Sequence, residues 1–518
     1  MNKIFTAAAA LVLLQATNSC SLKEEFNGTL NSPGGGGGAS SAASLLTGVY
    51  NSVRGPFEGN VNAFALSEVT TDERIMPTRG PDWDDNGVWR ALHQHTWDAN
   101  HSQIQNTFNG LNGIVFAATD LLRYNPTPQQ AAEARFLRAF AMFWELDFFD
   151  QVPYREPGES VIELAKVRKG MDALSYIISE VNAVQKDLPD GPAGKANKDA
   201  ARVLLMKCYL NKGAFANRAT PKFDAADMNS VIKLADEIIT SNKYSFTANY
   251  FDNFAPNNTS IGKENIFTDE NEGGVTGSDM SHHWYFISHY NMKPSGYNGP
   301  ATTSDFYDKF EATDKRRGVA YDTGLPNPGK RINVGFLFGQ QYDLTNDKPL
   351  QDRSGAPLAF VKEVKIIETG RNLEVTGIRC NKYPPDFVNG DSYRADNDLV
   401  HFRLADVLLM KAEAILRGGT ATTAGSYGAT PLALVNAIRT HASRGATALS
   451  TLNLDVLLDE RGRELYNEQW RRQDLIRFGK FLQPFQEKPK VTESTYLLFP
   501  IPNQQLAVNT NLSQNPGY

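Results

Sequence analysis

Residues 497–518, LLFPIPNQQLAVNTNLSQNPGY, constrain the fold more than any other stretch. Pro500, Pro502 and Pro516 exclude a continuous helix, because proline lacks an N–H and clashes with the preceding turn. The Asn and Gly residues suit turns. Leu497, Leu498, Phe499, Ile501 and Leu506 are too apolar to be left in water. The segment 490–518 is therefore expected to run extended across the surface of an otherwise finished domain, pinned by these side chains.

The other end of the chain reads as an export signal. Lys3 precedes an apolar run from Ile4 to Leu14, broken only by Thr6, and small polar residues lead to Cys20. The run is too short to span a bilayer, so residues 1–19 fit a secretory signal peptide. Cys20, directly after the cleavage region, is the candidate lipidation site of a palmitate-bearing lipoprotein, although Gln15 to Ser19 depart from the usual lipobox. Residues 20–41 contain the glycine run Gly34–Gly38 and read as a flexible tether. Such a coil spans roughly 25 Å root-mean-square. No later segment approaches about 18 consecutive apolar residues.

About 500 residues after the signal allow a core large enough to need no staples. The formal charge is −6, or −7 once Lys3 is removed, which leaves no electrostatic footprint for nucleic acid. Besides Cys20 the cysteines are Cys208 and Cys380. Cys208 sits in a helical pattern and reads as a small buried apolar residue. A Cys208–Cys380 disulfide stays open at this level, since sequence does not give the distance between the sulfurs. No cysteine spacing of the zinc type occurs.

Apolar periodicity predicts helices over 129–149, 171–188, 199–215, 226–241, 400–417, 431–442 and 455–480. Val203–Lys207 (VLLMK) recurs as Val407–Lys411, 204 residues later. That is six times the period of about 34 residues of a tetratricopeptide (TPR) helix pair. Residues 50–110 and 245–395 are rich in Gly, Asn, Asp, Pro and aromatics, and loops of that length are usually functional. The expected fold is mostly α, a TPR-like helix-pair scaffold over 42–245 and 398–480 carrying a loop-rich, irregular lobe over 245–397.

Five segments share one resemblance. They are Ala134–Trp144 (ARFLRAFAMFW) with Phe149–Tyr154 (FDQVPY), Arg403–Ala414 (RLADVLLMKAEA), Asn436–Arg439 (NAIR), Glu460–Arg477, and the Pro-Ile-Pro, Asn-x-Asn-Leu, Gln-Asn-Pro-Gly-Tyr tail. Together they resemble the SusD/RagB family of surface glycan-binding lipoproteins. Ser21–Glu25 (SLKEE) likewise resembles the acidic export signal of Bacteroidetes lipoproteins. The resemblance implies four TPR-like helix pairs and lipid anchoring at the outer face of the outer membrane. It also implies non-catalytic glycan capture and a SusC-like TonB-dependent transporter as partner.

Sugar recognition needs flat aromatic faces for C–H stacking and planar polar groups that bridge vicinal hydroxyls. Residues 68–100 offer Asp72, Arg79, Asp82, Trp83, Trp89, Trp97 and Asn100, with three of the six tryptophans within 15 residues. Trp83, flanked by Pro81, Asp82, Asp84, Asp85 and Gly87, reads as an exposed loop residue, whereas core packing fits Trp89 and Trp97 equally well. A second cluster holds Trp284, Tyr285 and Tyr297, with Arg379 and Tyr393 before the next helix. Zinc ligation by His282, His283 and His289 lacks a completing ligand, so no metal site is expected. Asp82, Asp84 and Asp85 are oxygen donors of the kind calcium takes, but their spacing is not that of an EF-hand loop, so a solvated acidic turn is expected and no cofactor is implied.

Two other functions compete. A secreted glycoside hydrolase would need two carboxyls facing each other across a cleft. In Glu460–Arg477 every acid has an arginine close in sequence, which favours a paired structural network over catalysis. A helix-repeat scaffold that binds peptides, or a relative that carries peptide cargo, is the other alternative.

Overall fold

A computed structural model describes residues 41–518, apart from 323–331, 391–392 and 424. The expected signal peptide, Cys20 and all of the tether except Ser41 lie outside the described residues.

Helices α1 (Ala42–Phe57), α2 (Asn62–Glu68), α3 (Val88–Gln94), α4 (Ser102–Leu121) and α5 (Pro128–Phe149) open the scaffold. It continues through α6 (Gly170–Val184), α7 (Lys198–Ala216), α8 (Ala225–Thr240), α9 (Leu404–Leu416), α10 (Pro431–Arg439), α11 (Leu454–Leu465) and α12 (Arg471–Arg477). Helix α5 shows why these segments are helical. Thr127 and Gln130 form a reciprocal capping box, Pro128 occupies the first turn, and Asp150 ends the helix at φ 58°. Buried residues such as Phe136, Phe140, Phe143 and Trp144 line it, and it packs against α1, α4 and α6.

The structure corrects three sequence expectations. The segment 400–417 is not all helix: β-branched and aromatic Leu399–Arg403 pairs antiparallel with Asn265–Asp269 before α9 begins. The segment 455–480 breaks between α11 and α12. Asn467 and Gln469 take φ 55° and 69° there, and their N–H groups donate to Glu73 and Glu68. Residues 50–110 are about half helical rather than all loop. Gly110 allows α4 to pack closely on Pro56, where a Cβ would lie 2.9 Å from Cγ.

The tail lies on the scaffold and carries a 3₁₀ turn (Ser494–Leu497) and one short helix, α13 (Asn503–Val508). The Phe499 N–H donates to the Phe148 carbonyl (2.8 Å). Asn515 Nδ2 reaches the carbonyls of Phe149 (2.9 Å) and Phe499 (2.7 Å). Asn509 and Asn511 both donate to the Ala165 carbonyl. The asparagines of the motif thus act as backbone clasps, and Phe499 and Ile501 are fully buried beneath them.

Short ladders tie the lobe to the scaffold. Arg74–Ile75 pairs with Ala301–Thr302, and Thr78–Arg79 runs parallel to Ile367–Glu368. Cys208 and Cys380 are buried and unbridged, and burial pushes both thiols up.

Beneath these ladders two buried carboxyls, Glu68 and Glu73, hydrogen-bond to one another. Burial raises both, and for Glu73 the neighbouring charge of Glu68 raises it further. The native state therefore keeps a proton that the unfolded chain releases above the ordinary glutamate range. This contribution to stability is full below about pH 4.5 and declines as pH rises through the folded value, by at most about 1.4 kcal/mol per pH unit. Glu73→Gln mimics the protonated partner. Urea melts at increasing pH above the ordinary glutamate range should show the variant gaining on the parent, and a constant difference would remove the shared proton.

Candidate functional site

A single helical turn, His282–Tyr285, projects from the lobe and is followed by Phe286. The chain then folds back on itself. Tyr297 N–H donates to the Tyr285 carbonyl (2.6 Å) and Gly299 N–H to the Phe286 carbonyl (2.7 Å). This return places Tyr297 against the turn. From another loop, Tyr393 is held by Ser278 N–H on its carbonyl (2.9 Å).

The result is an arc of aromatic side chains. Ring centroids lie 6.4 Å apart for Tyr285–Tyr297, 6.2 Å for Tyr285–Tyr393 and 6.1 Å for Phe286–Tyr297. Trp83 meets Phe286 edge-on at 5.2 Å, and His282 lies 4.6 Å from the same ring. The phenols of Tyr297 and Tyr393 hydrogen-bond to each other, which raises the Tyr393 hydroxyl. Tyr297 and Tyr393 are 49% and 43% exposed, so two large apolar faces stand in water while Tyr285 sits half-buried between them.

Trp83 is half-buried, not a free loop residue. Its indole N–H donates to the Tyr297 carbonyl (2.8 Å), and its ring presses on Gly299, where a Cβ would sit 2.1 Å away. Only glycine fits there. Trp83 and Tyr393 both hold left-handed backbone, at φ 61° and 55°. Such conformers cost about 1–3 kcal/mol for bulky residues and cluster at ligand sites.

Other sequence candidates lie elsewhere. Trp284 is 1% exposed, and a Cβ on Gly390 would touch its ring at 2.8 Å. Trp89 is buried and donates to Asp85, and Trp97 is buried and donates to the Tyr518 hydroxyl. Asp72 pairs with Arg471, which holds its carboxyl down against the effect of burial. Asn100 accepts from Asn503 of the tail. Arg79 reaches the carbonyls of Gly299, Leu373 and Thr376, while Arg379 reaches Thr376, Gly377 and Asn298. Both arginines are buried staples of the lobe rather than ligand contacts. Asp82 stays on the rim, exposed, accepting from the Tyr290 hydroxyl (3.1 Å).

The metal alternatives disperse. His283 Nε2 faces the Glu58 carbonyl, His289 Nε2 faces Glu374, and His282 packs on Phe286. Asp84 pairs with Arg90, and Asp85 accepts from Trp89, so the acidic loop residues turn to different donors. Among the described residues no group of three His, Cys, Asp or Glu side chains could hold a metal.

The acids of Glu460–Arg477 form a buried ion network. Glu464 meets Arg316 (2.9 Å), Arg403 (2.7 Å) and Arg444 (2.6 Å). Burial raises a carboxyl, but these guanidinium groups outweigh it and hold Glu464 well below the usual range. Glu413 is held at about 2, where Arg477 and Arg417 outweigh its burial. Ionised acids with every oxygen engaged serve poorly as a proton donor.

A groove of about 480 Å³ opens on the scaffold, lined by Phe116, Tyr154, Ile162, Leu164 and Val508. None of its lining residues belongs to the arc. Its walls mix aliphatic, aromatic and polar side chains, whereas the arc sets two exposed tyrosine faces on strained backbone.

Sequence reasoning missed Phe286 and Asp279 as parts of this site. Asp279 lies three residues before His282 and close enough to influence both His282 and Tyr393 electrostatically. No spacing announces it, because the Ser278–Tyr393 backbone bond brings the two loops together.

Comparison with known proteins agrees with the architecture. Residues 234–518 match the model of the SusD family. The chain is 25% identical to the starch-binding protein SusD of Bacteroides thetaiotaomicron, over 88% of this chain and 85% of that one. A SusD superfamily protein from Parabacteroides distasonis has the same fold, with TM-score 0.70 and 19% identity over 92% of this chain and 98% of the other. So has surface glycan-binding protein A from Bacteroides thetaiotaomicron, solved in complex with laminarihexaose (TM-score 0.67, 17% identity, 92% and 98% coverage). Sequence match, helical scaffold and clasped tail converge: the chain belongs to the SusD family.

Proposed function

We propose that this protein captures oligosaccharides on the arc of Trp83, Tyr285, Tyr297 and Tyr393 and passes them to a SusC-like TonB-dependent transporter. In this reading Cys20 carries the lipid and residues 20–41 tether the domain outside the outer membrane. Its relatives named as starch-binding and as bound to laminarihexaose support the ligand class. Among the described residues no helix is long and apolar enough to cross a membrane, which accords with an anchor outside them. The protein binds and does not catalyse, consistent with the structural pairing of its buried acids.

The observation that carries the proposal is the pair of exposed tyrosine faces on a strained, hydrogen-bonded frame. Tyr297→Ala and Tyr393→Ala should each weaken glycan binding by about 1–2 kcal/mol, roughly five- to thirtyfold, as truncating a stacking anchor does. Calorimetry of residues 41–518 on a panel of starch, laminarin, xylan, mannan, fructan and pectin fragments measures this. Thermal melts alongside should stay within about 1 kcal/mol of the parent, since both rings are nearly half exposed. An unchanged affinity in the double variant would sink the arc, and reducing-sugar release would sink the non-catalytic reading.

A further inference from the structure

We infer that the arc admits uncharged oligosaccharides and excludes those bearing uronate or sulfate groups, an inference that rests on the glycan-binding reading above. Recognition of an anionic sugar requires a cation with open donors at the ring faces. The loops that build the arc contain several cations, and those whose contacts are described engage protein groups, the buried Arg79 and Arg379 among them. Arg79 and Arg379 are buried and spend their donors on backbone carbonyls and on the side chains of Thr376 and Asn298. Arg90 turns to Asp84 and Thr78. Arg353 pairs with Glu374 while lying 4.2 Å over the Tyr290 ring. Lys293 faces Asp343 (3.7 Å). Arg394, next to Tyr393, is exposed, and its Nη1 donates to the Gly274 carbonyl (3.1 Å).

The acids are arranged in the opposite way. Asp82 occupies the rim beside Trp83, and Asp279 lies near Tyr393 and His282. Among the described residues neither carboxylate is in an ion pair. Asp279 N–H donates to buried Glu58 (3.1 Å), and a Cβ on Gly59 would lie 3.5 Å from the Asp279 Cβ and 3.1 Å from His282 Nδ1. Asp279 and His282 therefore both approach Gly59. Burial lowers His282, and the neighbouring Asp279 opposes that shift. Two carboxylates outside any ion pair thus accompany the stacking rings, in a chain of negative net charge. A carboxylate also accepts hydrogen bonds from a sugar's hydroxyls, so the same groups that repel an anion hold a neutral ring.

The test is calorimetry of residues 41–518 with malto-, laminari-, xylo- and manno-hexaose set against hexamers of galacturonic and mannuronic acid. Measurements at 0.05 and 0.5 M NaCl are paired with Asp279→Asn and Asp82→Asn. The expected result is binding of at least one neutral hexamer, with uronate hexamers at least tenfold weaker. That gap should shrink at high salt, where the screening length falls to a few ångström, and in Asp279→Asn. A uronate hexamer that binds as tightly as the neutral ones, and loses affinity in Tyr297→Ala, overturns the selectivity while leaving glycan capture intact. A gap that neither salt nor Asp279→Asn narrows overturns the electrostatic origin. Failure of every hexamer defeats the glycan reading and the inference with it.

Discussion

Replacing Glu464 with glutamine is expected to cost about 3–5 kcal/mol of stability, the usual penalty for leaving buried charges without their partner. Three guanidinium groups converge on this carboxylate from distant parts of the chain, Arg316, Arg403 and Arg444. All four side chains are fully or almost fully buried, so water cannot take over the lost interaction. Glu264 reaches Arg403 and Arg444, while Glu460 and Asp314 reach Arg316, and these acids limit the damage without removing it. Glutamine preserves the shape and one acceptor, which separates loss of charge from loss of volume. Urea denaturation of the parent and Glu464→Gln measures the difference, and a change below about 1 kcal/mol would show that the remaining acids suffice. The same change at Glu159, which pairs with Lys166 on the surface, should leave stability nearly unchanged.

Truncating Phe499 to alanine is the second large effect, at about 3–5 kcal/mol. The ring is fully buried. It meets Trp97 at 4.7 Å and Phe148 at 5.7 Å, and the Arg472 guanidinium lies 4.6 Å above it. Alanine would leave a cavity between two scaffold segments and remove a face from a buried cation. Removing residues 499–518 altogether should be worse, because it also frees the backbone carbonyls of Phe149 and Ala165 that Asn515, Asn509 and Asn511 cap. Thermal unfolding of Phe499→Ala and the solubility of the truncated chain check both expectations. A soluble, cooperatively melting truncation would show the tail to be dispensable.

Much of this architecture is legible in the sequence. The tail combines helix-excluding prolines with apolar residues, and those two facts leave few places for it to go. Each acid of Glu460–Arg477 carries a nearby arginine, which anticipates a paired network, although the kink at Tyr466–Trp470 is set by Glu68 and Glu73 from far upstream. The binding site is legible only in part. Density of tryptophans pointed to residues 83–97, yet Trp89 and Trp97 find internal acceptors for their N–H groups and become core. Tyr285, Tyr297 and Tyr393 lie in regions whose loop character was evident, but their adjacency depends on the return of the chain from Gly296 to Gly299. Arg79 and Arg379 have the composition of ligand-binding arginines and the environment of structural ones, a difference that burial alone decides.

The convergence on Glu464 has a consequence for how this protein can be divided. Arg316 comes from the loop-rich lobe, while Arg403 and Arg444 flank helices of the scaffold, so the charges balance only in the whole. A lobe excised at residues 245 and 397 would carry a buried arginine stripped of two of its acids, and the remaining scaffold would carry acids short of a cation. Binding specificity can be exchanged at the level of the surface loops that bear Trp83, Tyr297 and Tyr393, between their fixed anchor points. It cannot be moved as a cassette.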